Sequence, residues 1–110
     1  GVVKGRITAH QFVALTSTNP AKIFGLYPQK GVIQPGSDAD VVIWDPQMKI
    51  TYGLEWSHQR TDYNLYEGWD LEGYPEKVFL RGKCLVDGKN WYGKAGNGKF
   101  IRRKPFKTII

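Results

Sequence analysis

The 110-residue chain is poor in the residues from which most disulfide, redox and metal sites are built. It has one cysteine, Cys84, and two histidines, His10 and His58. A single cysteine excludes an intramolecular disulfide framework and fits a reducing, cytoplasmic compartment. No apolar run approaches the roughly 20 residues of a membrane span, and no signal peptide opens the chain, so we expect no membrane partner.

The remaining composition is that of a globular domain. Hydrophobic residues make up 41% of the chain and charged residues 24%, which argues against wholesale disorder. Sixteen basic and ten acidic residues give a net charge of +6. This charge permits binding to nucleic acid or to an acidic partner but does not require it.

The segment "RITAHQFVALTSTNPAKIFGL" predicts two short helices. Thr8 and Gln11 have the spacing of a capping box. Asn19 is predicted to cap the second helix, with Pro20 at its first position and Gly25 as its left-handed stop. Because each helix has only one apolar stripe, the pair must pack against another surface.

Downstream of these helices the pattern predicts antiparallel strands. We expect a short strand at Val32–Ile33, a strand at Asp40–Asp45 that Pro46 ends, and a half-exposed strand at Met48–Tyr52. Val41–Trp44 is apolar without alternation, which favours a strand covered on both faces. Further along, a meander is predicted from three strands and two tight turns, at Lys77–Arg81, Gly82-Lys83, Cys84–Val86, Asp87-Gly88 and Asn90–Tyr92.

A long segment without a clear pattern, Gly53–Pro75, separates these strands. It is rich in aromatic residues, namely Trp56, Tyr63, Tyr66, Trp69 and Tyr74. A loop of this length is uncommon unless it packs on another surface. In the isolated chain we therefore expect several of Trp56, Tyr63, Tyr66 and Trp69 to be exposed or to be buried by another copy.

The acidic stretch "GSDADVVIWDP" is the first candidate for a chemical site. Asp38 and Asp40 could ligate a hard cation, but no third oxygen ligand lies nearby in the sequence. The favoured interpretation is structural: Asp38 closes a turn, Asp40 opens a strand, and Asp45 stands at its end.

The other candidates are weaker. His10 and His58 lack the spacing of a zinc site, and nothing near Cys84 in the sequence would activate its thiol. The glycines at 93, 96 and 98 resemble a phosphate loop, but no helix is predicted after them.

The C-terminal tail alternates basic and aromatic residues, namely Lys99, Phe100, Arg102, Arg103, Lys104, Phe106 and Lys107. This pattern suits single-stranded nucleic acid. We favour instead a solvated arm, or one that contacts a neighbouring subunit and ends on the exposed apolar pair Ile109 and Ile110.

Two longer motifs carry a family resemblance. The combination "NPAKIFGL…KGVIQPGSDADVVIWDP" resembles the C-terminal segment of the amidohydrolase superfamily. The later "DYNLYEG" and "LRGKCLVDGK" are similar to the hydantoinase/dihydropyrimidinase branch of cyclic amidohydrolases. The resemblance extends from about residue 5 to residue 103.

The resemblance implies an α+β fragment. Two short helices would end a (β/α)8 barrel, and antiparallel strands would belong to a small β-sandwich. The implied divisions are 1–28 for the terminal barrel helices, 29–52 for sandwich strands, 53–75 for the aromatic-rich packing loop, 76–95 for the sandwich meander and 96–110 for the basic tail.

It also implies that the full-length protein hydrolyses a ring amide. The reaction would use two divalent metal ions, expected to be zinc, bridged by a carboxylated lysine. Those ligands lie upstream in the family, so we expect no catalytic, cofactor-binding or metal-ligating residue here and no activity in the isolated chain. The implied partners are the upstream barrel and further copies in a dimer or tetramer, with no nucleic acid. The alternatives are a non-enzymatic dihydropyrimidinase-like scaffold and a small basic nucleic-acid-binding β module.

Overall fold

The computed structural model describes residues 1–106, in which a helical segment precedes one antiparallel sheet. The elements are helix α1 (Ala9–Val13), a π-helical turn (Ala14–Thr18), helix α2 (Asn19–Ile23), strand β1 (Val41–Tyr52), a 3-10 turn (Leu54–Trp56), and strands β2 (Trp69–Leu80), β3 (Lys83–Asp87) and β4 (Asn90–Trp91). The strand order is β1-β2-β3-β4, and every neighbouring pair is antiparallel. The predicted succession of two helices and antiparallel strands is confirmed.

The helical segment begins where the sequence predicts. The Thr8 side chain accepts from the Gln11 N–H, and the Gln11 side chain accepts from the Thr8 N–H, so the capping box is present. The prediction that Asn19 caps α2 is wrong, because the chain enters α2 directly from the π-helical turn with helical backbone at Thr18. Pro20 explains the wider turn, since its ring would collide with the carbonyl one α-helical turn earlier.

The stop at Gly25 is confirmed. Gly25 has φ +69°, and the Leu26 N–H returns to the Ala21 carbonyl at 2.8 Å. This is the hydrogen bond expected when a left-handed residue ends a helix.

Strand β1 is longer than the sequence predicts. It continues through Pro46 to Tyr52, and its register with β2 shifts between Asp45 and Lys49. The prediction that Pro46 ends the strand is wrong, because a bulge accommodates the missing N–H and the Asp45 carboxylate accepts from the Gln47 N–H at 2.9 Å. The strand expected at Val32–Ile33 is not formed; Val32 lies in a bend and Ile33 has no regular structure.

Strand β2 also departs from expectation, because it begins at Trp69. The segment 53–75 is therefore not loop throughout, because residues 69–75 belong to β2 and six of these seven residues pair with β1. The predicted meander is confirmed, but its first turn, Arg81-Gly82, comes one residue earlier than expected and its second, Gly88-Lys89, one residue later. Arg81 and Gly82 both have positive φ, at 47° and 80°, as a two-residue hairpin turn of type I′ requires.

The chain buries little of its own apolar surface. Within residues 1–106, Ala21 and Ile50 are the only buried hydrophobic residues, and Val42, Ile43 and Trp44 are exposed. Its accessible surface is 8951 Å², whereas a folded monomer of this mass exposes roughly 6,200 Å². The radius of gyration is 15.7 Å, against about 13 Å for a compact domain of this length. This chain therefore lacks a core sufficient for its size.

The aromatic segment contributes to this exposure. Tyr63, Tyr66 and Trp69 are exposed at 66%, 53% and 57%, as predicted, while Trp56 is half-buried. Tyr66 and Trp69 pack edge to face with ring centroids 5.2 Å apart, so they contact each other rather than a core.

We expect the isolated 110-residue chain to bind a hydrophobic dye such as ANS strongly and to unfold without a sharp thermal transition. Many of its apolar side chains would be exposed to water, and burial of apolar surface is the main source of folding free energy. Dye fluorescence and near-UV circular dichroism measure this, with the full-length protein as control. A cooperative transition with low dye binding would contradict it.

Candidate functional site

A group of charged residues is built around the acidic stretch, and we call Lys30, Asp38, Asp40 and Arg81 the Asp40 junction. The Lys30 ammonium lies 2.9 Å from an Asp38 carboxylate oxygen and also contacts Asp40. Asp40 in turn accepts a 2.9 Å hydrogen bond from the backbone N–H of Arg81. Both acids are thus engaged by groups of the chain itself.

The junction ties two distant parts of the chain together. Beside Asp40, the Ala39 carbonyl accepts from the Gly82 N–H at 2.9 Å. Asp38 is held to the preceding loop, because its carboxylate accepts from the Gln29 side chain at 3.1 Å and its N–H donates to the Gln29 carbonyl. The start of β1 is therefore fixed to the β2–β3 turn. These contacts give the acids the structural role that the sequence favours.

The charges of the junction stabilise one another. Hydrogen bonding from the Lys30 ammonium, with help from Gln29, lowers the pKa of the Asp38 carboxyl below its usual value. Burial opposes the charge of Lys30, but the carboxylates of Asp40 and Asp38 outweigh it and raise the pKa of the lysine. A cation-binding role is therefore disfavoured, since a protein ammonium already occupies the space between the carboxylates.

The other candidate residues are not brought together. His10 lies in α1, and the His58 ring packs on Trp91 with centroids 5.1 Å apart. The Cys84 thiol donates to the Val86 carbonyl at 3.2 Å. Across residues 1–106 there is no group of three or more histidine, cysteine or acidic side chains that could hold a metal ion.

An aromatic cluster that the sequence pattern did not predict lies beside the hairpin of β3 and β4. Trp56 packs on Tyr74 with centroids 5.3 Å apart, and the Lys89 ammonium lies 4.4 Å from the Trp56 ring centre. Burial raises the pKa of the Tyr74 hydroxyl. These contacts join residues far apart in sequence, so no local spacing could have revealed them.

The basic tail runs back over the helical segment. Residues 99–103 line an open groove of about 870 Å³ together with Phe24 and Leu26. Phe100 is 91% exposed and Phe106 is 75% exposed. No helix follows the glycines at 93, 96 and 98 within the described chain. Lys107, Ile109 and Ile110, which the sequence places in a subunit-contacting arm, lie outside the described residues.

No helix within the described part of the chain is long and apolar enough to cross a membrane.

Comparisons with known proteins give a consistent picture. The model of the amidohydrolase family matches residues 2–85. The chain is 47% identical to the D-hydantoinase of Ralstonia pickettii over 107 residues, which are 97% of this chain and 23% of that protein. It is 46% identical to the dihydropyrimidinase of Rattus norvegicus over 110 residues, which are 100% of this chain and 21% of that protein.

The structural comparison agrees. The fold superposes on the crystal structure of D-hydantoinase from Bacillus sp. AR9 with a TM-score of 0.93 and 45% identity, covering 99% of this chain and 24% of that one. The chain thus spans about a quarter of the length of the relatives it matches.

The junction gives a pH-dependent prediction for the variant Lys30→Met in the full-length protein. The folded-state pKa of Asp38 is lowered, so its stabilisation is present above about pH 4 and lost as the pH falls through that lowered pKa. The raised pKa of Lys30 gives stabilisation that is complete below about pH 10.4 and lost as the pH rises through that raised pKa. We therefore expect Lys30→Met to lower the Tm at pH 7 and to matter less near pH 3.

Thermal unfolding at both pH values measures this, with Lys83→Met as a matched control because it removes an exposed lysine that neighbours the same turn. Equal Tm losses for the two variants, or a loss for Lys30→Met that does not depend on pH, would contradict the assignment.

Proposed function

The chain belongs to the amidohydrolase family, and on that premise we propose that the full-length protein hydrolyses a cyclic amide of the hydantoin or dihydropyrimidine type. The observation that carries the proposal is 44–47% identity, over nearly the whole chain, to proteins named D-hydantoinase and dihydropyrimidinase. Hydrolysis of such a ring adds water across one carbon–nitrogen bond of the amide and opens it.

The 110-residue chain would serve as a scaffold in that enzyme. The family is generally metal-dependent, and we propose two divalent ions, zinc, with a carboxylated lysine. The residues of this chain do not fit such a centre, because the described part offers no cluster of metal ligands and the carboxylates of Asp38 and Asp40 are engaged by Lys30 and Arg81. We therefore propose that the remaining three-quarters of the protein supplies every ligand, and that the isolated chain is inactive.

The same premise leads us to propose the partners, the assembly and the cellular location of the protein. The exposed apolar residues support a barrel portion of the same protein as the principal partner, and a dimer or tetramer as the assembled form. The unpaired Cys84 supports a cytoplasmic location.

The test is ring opening by the purified full-length protein with hydantoin and with dihydrouracil. We expect turnover of at least one ring that stops on treatment with a chelator and returns with zinc, while the isolated 110-residue chain remains inactive because it has no ligand set. Absorbance loss of the ring amide measures it. A folded, zinc-loaded protein that opens neither ring would contradict the proposal and favour a scaffold function.

A further inference from the structure

The described part of the tail returns to the end of the helical segment. The Lys104 N–H donates to the Gly25 carbonyl at 2.9 Å. A Cβ atom on Gly25 would lie only 1.8 Å from the Lys104 carbonyl oxygen. Glycine is thus required at position 25 for two separate reasons, its φ of +69° and the close passage of the tail.

A second anchor holds the tail to the sheet. The Arg81 guanidinium donates to the Asn97 carbonyl oxygen. The backbone N–H of the same residue binds the Asp40 carboxylate. The tail, which follows β4, is therefore anchored at the β2–β3 turn through Asn97 and reaches the end of the helical segment at Gly25.

The side chains between the two anchors suit this path. Lys99, Arg102 and Arg103 line the groove beside Phe24. Positive charge near the C-terminal end of a helical segment is favourable, because the last carbonyl groups carry partial negative charge. Ile101 and Leu26 are half-buried and line the same groove, so apolar as well as basic side chains of the tail face the end of the helical segment.

We propose that residues 97–104 form an intrachain strap that holds the C-terminal end of the helical segment to the sheet. The inference rests on the proposed function in one respect: in a cyclic amidohydrolase the strap would connect the barrel portion to the β-sandwich. This part of the tail then acts within one chain, and an arm to another subunit would have to use other residues.

The test uses Gly25→Ala and Gly36→Ala in the full-length protein. Gly36 has φ +88°, and no atom lies within 4 Å of the position that an added methyl carbon would take, so both variants carry the left-handed strain but only Gly25→Ala displaces the strap. We expect trypsin to cleave after Arg102 or Arg103 about tenfold faster or more in Gly25→Ala than in Gly36→Ala, because the cleavage rate follows the population of the locally opened state.

A second pair of variants keeps the test valid if Gly25→Ala does not fold. Arg81→Met removes the Asn97 anchor and preserves the backbone contact to Asp40, and Lys83→Met removes a neighbouring charge without touching the strap. Faster cleavage in Arg81→Met alone, with unchanged oligomeric mass by light scattering, supports the strap.

Equal cleavage within each pair, or a loss of oligomeric mass in Gly25→Ala or Arg81→Met, would overturn the proposal. Neither the cleavage rate nor the oligomeric mass depends on turnover. The strap can therefore be disproved in a protein that opens a ring, and it can be supported in a protein that opens none.

Discussion

The arrangement of this chain depends on the carboxylate of Asp40. It accepts from the Lys30 ammonium with one oxygen and from the Arg81 backbone with the other. The loop after the helical segment, the start of β1 and the β2–β3 turn therefore meet at a single side chain. The Lys30 and Asp40 side chains are only 16% and 32% exposed, so solvent and salt screen this pair less than an open surface pair.

The Asp40 junction is polar and does not provide a hydrophobic core, and β1 shows this most clearly. Strand β1 has twelve residues and pairs only with β2 among the described residues. Unpaired edges of this length are usually covered or interrupted in natural proteins. Val42, Ile43 and Trp44 on the same strand are exposed. The relatives that the chain matches are about four times as long, and under the proposed function their remaining segments would cover this edge and this face.

The sequence predicts features that depend on residues close together in the chain, and it does not predict those that depend on contacts between distant segments. The capping box of Thr8 and Gln11 depends on residues within one helical turn, and the structure has it. The bulge at Pro46 depends instead on pairing with β2, a distant strand, which no local pattern encodes. The site follows the same division. Turn and strand signals around Asp40 indicate its structural role, whereas its partner Arg81 lies 41 positions away and has no sequence signal to mark it.

The Asp40 junction lowers the entropy cost of forming the contacts of the strap, because it shortens the loop that they close. Bringing Gly25 and Lys104 together directly would close a loop of about 80 residues, at a cost of roughly 4 kcal/mol. The contacts of Lys30 with Asp40, of Asp40 with Arg81 and of Arg81 with Asn97 bring both segments close beforehand. The last closure then resembles that of a loop of about a dozen residues, which costs roughly 2 kcal/mol. Because the saving depends on every intermediate contact, a break at Asp40 would weaken the pairing at Gly25 even though these residues do not touch.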